Sequence, residues 1–373
     1  MRIAYILNTL GIGGAERLVV SLAERMAARG HAVRIVVLLE ARPEDLKTAV
    51  PVVRLGMREG GGGAVRGLAR AVGAMRSFRP DVIHGNNFHG NLVARAMRLA
   101  CPGARVISTL HNEYEGGRGR MLALKCTEAL TARTVAVCQA VAERALELGI
   151  VPERKCSVIT NGVDVDLFRP DARRRVEGRR ALDAGDDFVW LSAARMAEAK
   201  DYPTVLRAFA KARAAKRGIQ LWIAGTGEEE YAEMLRILAL RLGVADAVQW
   251  LGARGDVAAL LDAADAFVLG SAWEGMPMAL AEAMAMEKPV VATGVGGVSE
   301  LTGSCGLVVP PRDPEALARA MLSIMNTPLE ARRFLGQSAR ERVRDRFDMD
   351  VKARDWEELY EEVGKCKLPA SSF

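Results

Sequence analysis

The stretch MRIAYILNTLGIGGAERLVVSLAERMAARGHAVRIVVLLE, residues 1–40, sets the frame for the chain. Ile3–Leu7 is a short unbroken apolar run, and Gly11-Ile12-Gly13-Gly14 interrupts it. Ala15–Arg29 then carries apolar residues at helical spacing, and Val33–Leu39 is a second apolar run. Unbroken Val/Ile/Leu runs of strand length on either side of an amphipathic helix describe a βαβ unit with parallel strands buried on both faces. Glycines at such a turn let backbone N–H groups approach a phosphate at the helix N-terminus; the same residues also fit a plain tight turn. Position 16 is Glu where a dinucleotide fingerprint would end in Gly, although Glu40 falls near the place of a ribose-binding acid.

Working outward, the alternation continues. Strands are expected at Val52–Leu55, Val82–His84, Val106–Thr109, Val135–Val137 and Ser157–Thr160, with helices at Ala64–Phe78 and Leu92–Leu99. Phe168 to Asp187 is polar, with basic runs Arg173–Arg175 and Arg179–Arg180, and reads as an interdomain linker. A second alternation follows, with strands at Phe188–Ala193, Gln220–Ala224, Val248–Leu251, Ala266–Leu269, Pro289–Ala292 and Leu307–Val309. Its helices are Thr204–Lys216, Glu229–Leu242, Val257–Ala263 and Ala279–Met286. Met349–Val363 is helical in character, and Leu368–Phe373 reads as a frayed end. The expected fold class is α/β, with two doubly wound domains, 1–170 and 171–348, and a C-terminal helix within 349–373. Ligands of such sheets bind beyond the carboxyl ends of the strands, and two such domains facing each other make a cleft.

Composition narrows the function classes. Half of the 373 residues are hydrophobic and 26% are charged, an ordinary globular mix. No apolar run approaches the roughly 20 residues of a membrane span. The N-terminal apolar run is too short for a signal peptide, so a cytoplasmic protein is expected. The six cysteines form no Cys-x-x-Cys pair, so no metal site is expected and reduced thiols are. The net charge of +6 is uneven: residues 1–170 carry 24 Lys+Arg against 15 Asp+Glu, while the remainder is slightly acidic. A basic first half suits an anionic membrane surface or phosphorylated acceptor, as it suits scattered solvated arginines. Aromatics do not interleave with the basic residues, and nucleic acid is not expected as a partner.

Several residue groups at strand ends carry chemistry. Arg195 and Lys200 follow Phe188–Ala193; a planar guanidinium fork and a compact ammonium there suit a diphosphate, or equally a solvated loop. Glu274-Gly275-Met276-Pro277-Met278-Ala279-Leu280-Ala281-Glu282 places one carboxylate in a loop and a second about one turn into a helix, with Pro277 in the first helical turn. Such carboxylates accept from sugar or ribose hydroxyls, a pair of them also suits glycoside hydrolysis, and helix capping is the plainer use. Asn161-Gly162-Val163-Asp164 is a turn signal. His111 follows a strand, as does Gly296-Gly297 with Glu300; His84 and His89 are further candidates, and each imidazole suits a structural as well as a catalytic place.

Order and spacing together are more specific than any one group. Over essentially its full length the chain resembles the retaining glycosyltransferases of family 4. The matching pieces are Gly13-Gly14-Ala15-Glu16-Arg17, Asn161-Gly162-Val163-Asp164 with Phe168, Arg195 with Lys200, Glu274 with Glu282, Pro289-Val290-Val291-Ala292-Thr293, Gly296-Gly297 with Glu300, and Gly306-Leu307-Val308-Val309-Pro310. The resemblance implies a GT-B fold of two Rossmann-like domains, the donor held mainly by the second, the acceptor by the first, and the final helix packed back on the first. It implies a nucleotide diphosphate sugar as donor, a UDP-sugar favoured over a GDP-sugar, with a glycan or lipid-linked acceptor. Arg195 and Lys200 would hold the diphosphate, joined by backbone N–H groups of Gly13 and Gly14. Glu282 would accept from the ribose. Glu274 would hold sugar hydroxyls, with backbone N–H groups near Met276, Pro277 and Met278. His111 would lie beside the reacting sugar, and the base near Leu251–Arg254. The cationic clamp would replace a metal ion, so no cofactor is implied, and the acceptor hydroxyl would attack from the face the phosphate leaves. Two positions depart from the pattern, Ala194 and Glu287, where Gly is common. A nucleotide-sugar hydrolase or epimerase on the same fold, a non-catalytic nucleotide-sugar-binding module and a nicotinamide dehydrogenase are the rival readings.

Overall fold

The computed structural model describes residues 1–11, 13–42, 45–58 and 63–365; Ile12, Cys366 and the expected frayed end lie outside the described residues. It divides into two compact units, Met1–Gly162 with the segment from Met349, and Val163–Asp348. The division falls a few residues before position 170.

The first unit runs β1 (Arg2–Leu7), α1 (Gly14–Ala28), β2 (Ala32–Leu39), β3 (Val52–Met57), α2 (Ala64–Phe78), β4 (Val82–Asn86), α3 (Asn87–Ala100), β5 (Arg105–Leu110), α4 (Arg118–Thr127), β6 (Arg133–Ala136), α5 (Gln139–Glu147) and β7 (Cys156–Val158). All pairings are parallel, in the order β3-β2-β1-β4-β5-β6-β7. The order reverses direction between β1 and β4, so the loops after these strands diverge and leave a crevice at their carboxyl ends. Gly85 and Gly90 permit the close packing there, because a Cβ on Gly90 would lie 2.7 Å from the Ile6 carbonyl oxygen.

The second unit runs α6 (Ala172–Ala181), β8 (Phe188–Ala193), α7 (Tyr202–Ala215), β9 (Ile219–Ala224), α8 (Glu229–Arg241), β10 (Val248–Gly252), α9 (Val257–Ala263), β11 (Ala266–Leu269), α10 (Met278–Ala285), β12 (Val290–Thr293), α11 (Val298–Thr302), β13 (Leu307–Val309), α12 (Pro314–Asn326) and α13 (Leu329–Arg346). Its parallel sheet has the order β10-β9-β8-β11-β12-β13. Trp190, Val205, Phe209, Leu221, Val268 and Met321 belong to one buried core cluster of this unit.

The polar stretch 168–187 is not a linker. Asp171 caps α6 by accepting from the backbone N–H groups of Arg173 (2.7 Å) and Arg174 (3.1 Å). Arg175 Nη1 donates to the carbonyls of Asp262, Ala263 and Ala264, and Arg175 and Arg179 both pair with Asp265. The arginines therefore satisfy the orphan carbonyls at the end of α9. Gly178 lets the helices touch, since its Cβ would lie 2.9 Å from that of Ala263.

The chain's last helix, α14 (Met349–Lys365), rejoins the first unit. Trp356, Leu359, Tyr360 and Val363 share a core cluster with Leu18, Leu22 and Met26 of α1. The Tyr360 hydroxyl lies 2.8 Å from His84 Nδ1 and donates to Tyr5 (3.1 Å).

Glu287 stands where the backbone geometry favours glycine. Its backbone is left-handed (φ 57°), the conformation in which glycine is favoured, and Gly336 packs against its carbonyl so closely that a Cβ there would lie 2.0 Å away. The side chain is half-buried and lies near Arg340.

Candidate functional site

In the second unit, β8, β11 and β12 are neighbours, so the loops leaving them emerge side by side. Backbone bonds tie these loops together. The Ala272 N–H donates to the Ala199 carbonyl (2.8 Å), and the Gly297 N–H donates to that of Gly275 (2.7 Å). Gly296 (φ 51°) presses on Glu274, whose carbonyl oxygen would be 2.4 Å from a Cβ. The result brings Lys200 and Glu274 into an ion pair, Nζ to Oε1. The same oxygen accepts from Ser271 Oγ (2.6 Å), and Ser271 is itself held through its carbonyl by Thr293 Oγ1 (2.6 Å). Glu274 is buried, and among the described residues its hydrogen bonds fall on Oε1 and none on Oε2. This is a pre-set acceptor beside a fixed cation.

Arg195 is exposed and extends from a loop with a firm backbone. Ala194 N–H donates to the Ala224 carbonyl (2.9 Å) and Met196 N–H to that of Thr226 (2.8 Å). The partner segment Gly225-Thr226-Gly227 was not singled out from the sequence, although two glycines directly after a strand were visible. A Cβ at Gly225 would lie 2.0 Å from the Ala194 oxygen, and one at Gly227 would lie 2.1 Å from that of Met196. Ala194 itself is accommodated, and its carbonyl accepts from the Tyr202 hydroxyl (2.9 Å).

Gly225 N–H continues the chain of contacts to the Gly252 carbonyl (2.7 Å). Leu251 thus lies part-buried at the end of edge strand β10. Arg254 is held bidentate by Asp256 (2.7 and 2.6 Å), which raises the guanidinium's pKa and lowers that of the carboxyl. Pro277 is the N-cap of α10 rather than a residue of its first turn, with no side-chain cap. Met276 is buried before it, Met278 opens the helix, and Glu282 is buried one turn in.

The first unit holds the other candidates. Gly13 is the N-cap of α1, and Gly14 is its first residue; both are exposed. Glu16 folds back over the turn, so close that a Cβ on Gly13 would lie 2.2 Å from its Oε2. The acid also suits the positive end of the helix. His111 follows β5, buried, with Nε2 at 3.2 Å from Asn86 Oδ1 at the end of β4. Its N–H donates to Glu115 Oε1 (3.2 Å), a carboxyl whose pKa burial raises. Asn86 is a second residue that the sequence did not flag. His89 joins Asn8 at 3.2 Å, whereas His84 bridges Tyr360 and Thr109 (2.6 Å) in the core and is structural.

Burial holds the His111 imidazole down to about 4, and burial with repulsion from His111 holds His84 down to about 3. Both are neutral in the folded chain, while an unfolded chain takes up these protons near pH ~6.5. The stability they contribute is therefore complete above that pH and is lost as pH falls toward the folded values. The urea midpoint is expected to drop between pH ~7 and ~4.5, and to drop less in His111→Asn. An equally steep fall in the variant would remove His111 as a source.

Two Rossmann-like units built on parallel sheets are the GT-B fold of glycosyltransferases. Residues 12–167 match the model of Glycosyltransferase Family 4, and residues 187–327 match that of Glycosyl transferases group 1. The chain belongs to this family. A glycogen synthase of Mycobacterium tuberculosis is 28% identical over 307 residues, covering 78% of this chain and 71% of that protein. The lipopolysaccharide core biosynthesis glycosyltransferase LpsE of Rhizobium meliloti is 33% identical over 218 residues, 56% of this chain and 60% of its own. Among solved structures, Anabaena HepE in complex with UDP and glucose superposes with a TM-score of 0.86 at 20% identity, covering 97% of this chain and all of that one. No helix among the described residues is long and apolar enough to cross a membrane.

Proposed function

We propose that this glycosyltransferase moves a hexose, with retention of anomeric configuration, from a UDP-sugar to a hydroxyl of a glycan or lipid-linked acceptor. The observation that carries the reading is the Lys200–Glu274–Ser271 cluster at adjacent strand ends, with exposed Arg195 in the same set of loops. Lys200 and Arg195 hold the diphosphate and offset the negative charge that grows on it as the sugar leaves. Gly13 and Gly14 offer amide donors suited to phosphate oxygens. Glu274 accepts from sugar hydroxyls, the amides at the start of α10 donate to the sugar, and Glu282 accepts from the ribose. Neutral His111 can hydrogen-bond a sugar hydroxyl. The base lies near Leu251–Arg254.

Glu274 already has a cation and a hydroxyl on one oxygen, which suits a binding group better than a covalent nucleophile. That favours same-face attack, with the acceptor's proton passing to the departing phosphate oxygen. The cationic clamp takes the place of a metal ion. UDP is favoured over GDP because HepE, similar over nearly the whole chain, is a UDP complex.

Calorimetric titration tests the reading. UDP is expected to bind at least about tenfold more tightly than GDP, a difference of about 1.4 kcal/mol, and Lys200→Ala to abolish the heat. Transfer is expected to survive a chelator; loss restored by Mg²⁺ would overturn the metal-free mechanism. Equal or absent UDP binding would overturn the donor assignment.

The excess of basic residues in 1–170 supports work at the anionic cytoplasmic face of a membrane. The chain is then expected to sediment with phosphatidylglycerol vesicles at low salt and to be released by high salt. A chain that stays in the supernatant at low salt would end that proposal.

A further inference from the structure

We propose that the second unit carries a carbohydrate-binding subsite, separate from the donor site, that takes neutral sugar residues of a glycan. It is a hollow of about 490 Å³ whose lining includes Trp273, Tyr231, Glu198, Asp201, Arg207 and Arg312. Glu198 and Trp273 lie on the same loops as Lys200 and Glu274, but none of the donor-site residues lines it. The inference rests on the reading that this enzyme handles a glycan.

The lining has the chemistry of sugar recognition. Trp273 is 44% exposed, so part of its indole is open at the hollow. Aromatic faces cover the C–H face of a pyranose while a polar rim fixes the hydroxyls. Hydroxyls need donors and acceptors together, and the hollow supplies both. Among the described residues, Arg207, Arg312 and Glu198 make no side-chain hydrogen bond or ion pair, which leaves their polar atoms open to a ligand. Arg312 is held in the left-handed region (φ 59°), a conformation costly for a long side chain.

The charges decide against an anionic ligand. Two carboxylates and two guanidiniums balance in the lining. The two nearby helix N-termini are already occupied by the protein's own acids. Asp201 accepts from the Thr204 N–H (3.3 Å) and hydroxyl (2.7 Å) at α7, and Asp313 from the Ala316 N–H (2.9 Å) at α12. Length favours an oligosaccharide: Pro203 and Arg207 also border a second hollow, of about 560 Å³, with Met234 and Ile237 in its lining.

The test applies the full chain, without nucleotide, to a printed array of neutral, sulfated and phosphorylated oligosaccharides, followed by calorimetry on the retained ones. At least one neutral oligosaccharide is expected to bind. Its affinity is expected to fall at least about tenfold in Trp273→Ala and in Arg207→Ala, and to stay within about twofold in Lys200→Ala and with UDP present. Unchanged UDP binding and thermal midpoint in the two subsite variants exclude misfolding as the cause. No retained neutral glycan, retention of charged glycans alone, or equal loss in Lys200→Ala would each overturn the subsite. Because glycan binding is read without donor, and UDP binding without glycan, failure here is distinguishable from failure of the donor assignment.

Discussion

Lys200→Ala is expected to lower kcat/KM about 10²–10³-fold, the loss seen when a preorganised group facing developing charge is removed. Its ammonium is held by the buried Glu274 carboxylate and stands in a loop fastened by the Ala272–Ala199 bond, so it is positioned before a donor arrives. Water would replace it only as a mobile dipole. The substitution also leaves the buried Glu274 with Ser271 as its remaining side-chain donor, which loosens its placement. Lys200→Arg keeps the charge but not the compact shape, and an intermediate loss is expected. Steady-state kinetics with thermal midpoints as the folding control decide the matter. A Lys200→Ala enzyme within about threefold of wild type would remove the clamp from the mechanism.

Arg95→Met is expected to destabilise the first unit by about 3–5 kcal/mol, the cost of stranding a buried charge. Arg95 is wholly buried on α3. Its guanidinium donates to Ser108 Oγ (3.1 Å), the Leu124 carbonyl (2.6 Å), Thr127 Oγ1 (2.8 Å) and Glu128 Oε2 (3.0 Å). Glu128 in turn accepts from Thr131 (2.6 Å) and from Thr134 through both oxygens. Methionine fills part of the volume but supplies no donor, leaving the carboxylate with hydroxyls alone. Adding Glu128→Gln should recover part of the loss, because both charges are then gone. Urea unfolding of the two variants measures it, and a loss below about 1 kcal/mol for Arg95→Met would mean the network is well solvated.

Where burial was apolar, the sequence was readable. Ile3–Leu7, Val33–Leu39 and Phe188–Ala193 announced themselves as buried strands, and Ala64–Phe78 as a helix. Segments held by polar contacts were not. The helix α6 has no buried residue, and its arginines reach carbonyls some ninety positions away. Likewise, α13 buries only the small residues Gly336, Ala339 and Val343 beneath a strongly charged surface, a face too slight to register as periodicity.

The site divides along the same line. Arg195, Lys200, Glu274 and Glu282 were legible by type and spacing, yet the meeting of Lys200 with Glu274 depends on β8 lying beside β11, a crossover that spacing does not encode. Asn86 and Gly225-Thr226-Gly227 were passed over because each resembles an ordinary strand-end turn. Their significance comes from what sits across from them, His111 in one case and the backbone around Arg195 in the other.

Under the proposed function, the shared oxygen of Glu274 also makes the two ends of a donor interdependent. Lys200 has three N–H donors to share between that carboxylate and a phosphate, and Oε1 accepts from a sugar hydroxyl more readily as its share of the ammonium falls. A nucleotide that draws the ammonium away frees an acceptor for the sugar, and a sugar that engages the acceptor releases the ammonium to the phosphate. By reciprocity each half then raises the affinity for the other by the same factor. Such an enzyme holds an intact donor more firmly than the separate affinities of its halves suggest, and its grip on the nucleotide loosens once the sugar has gone.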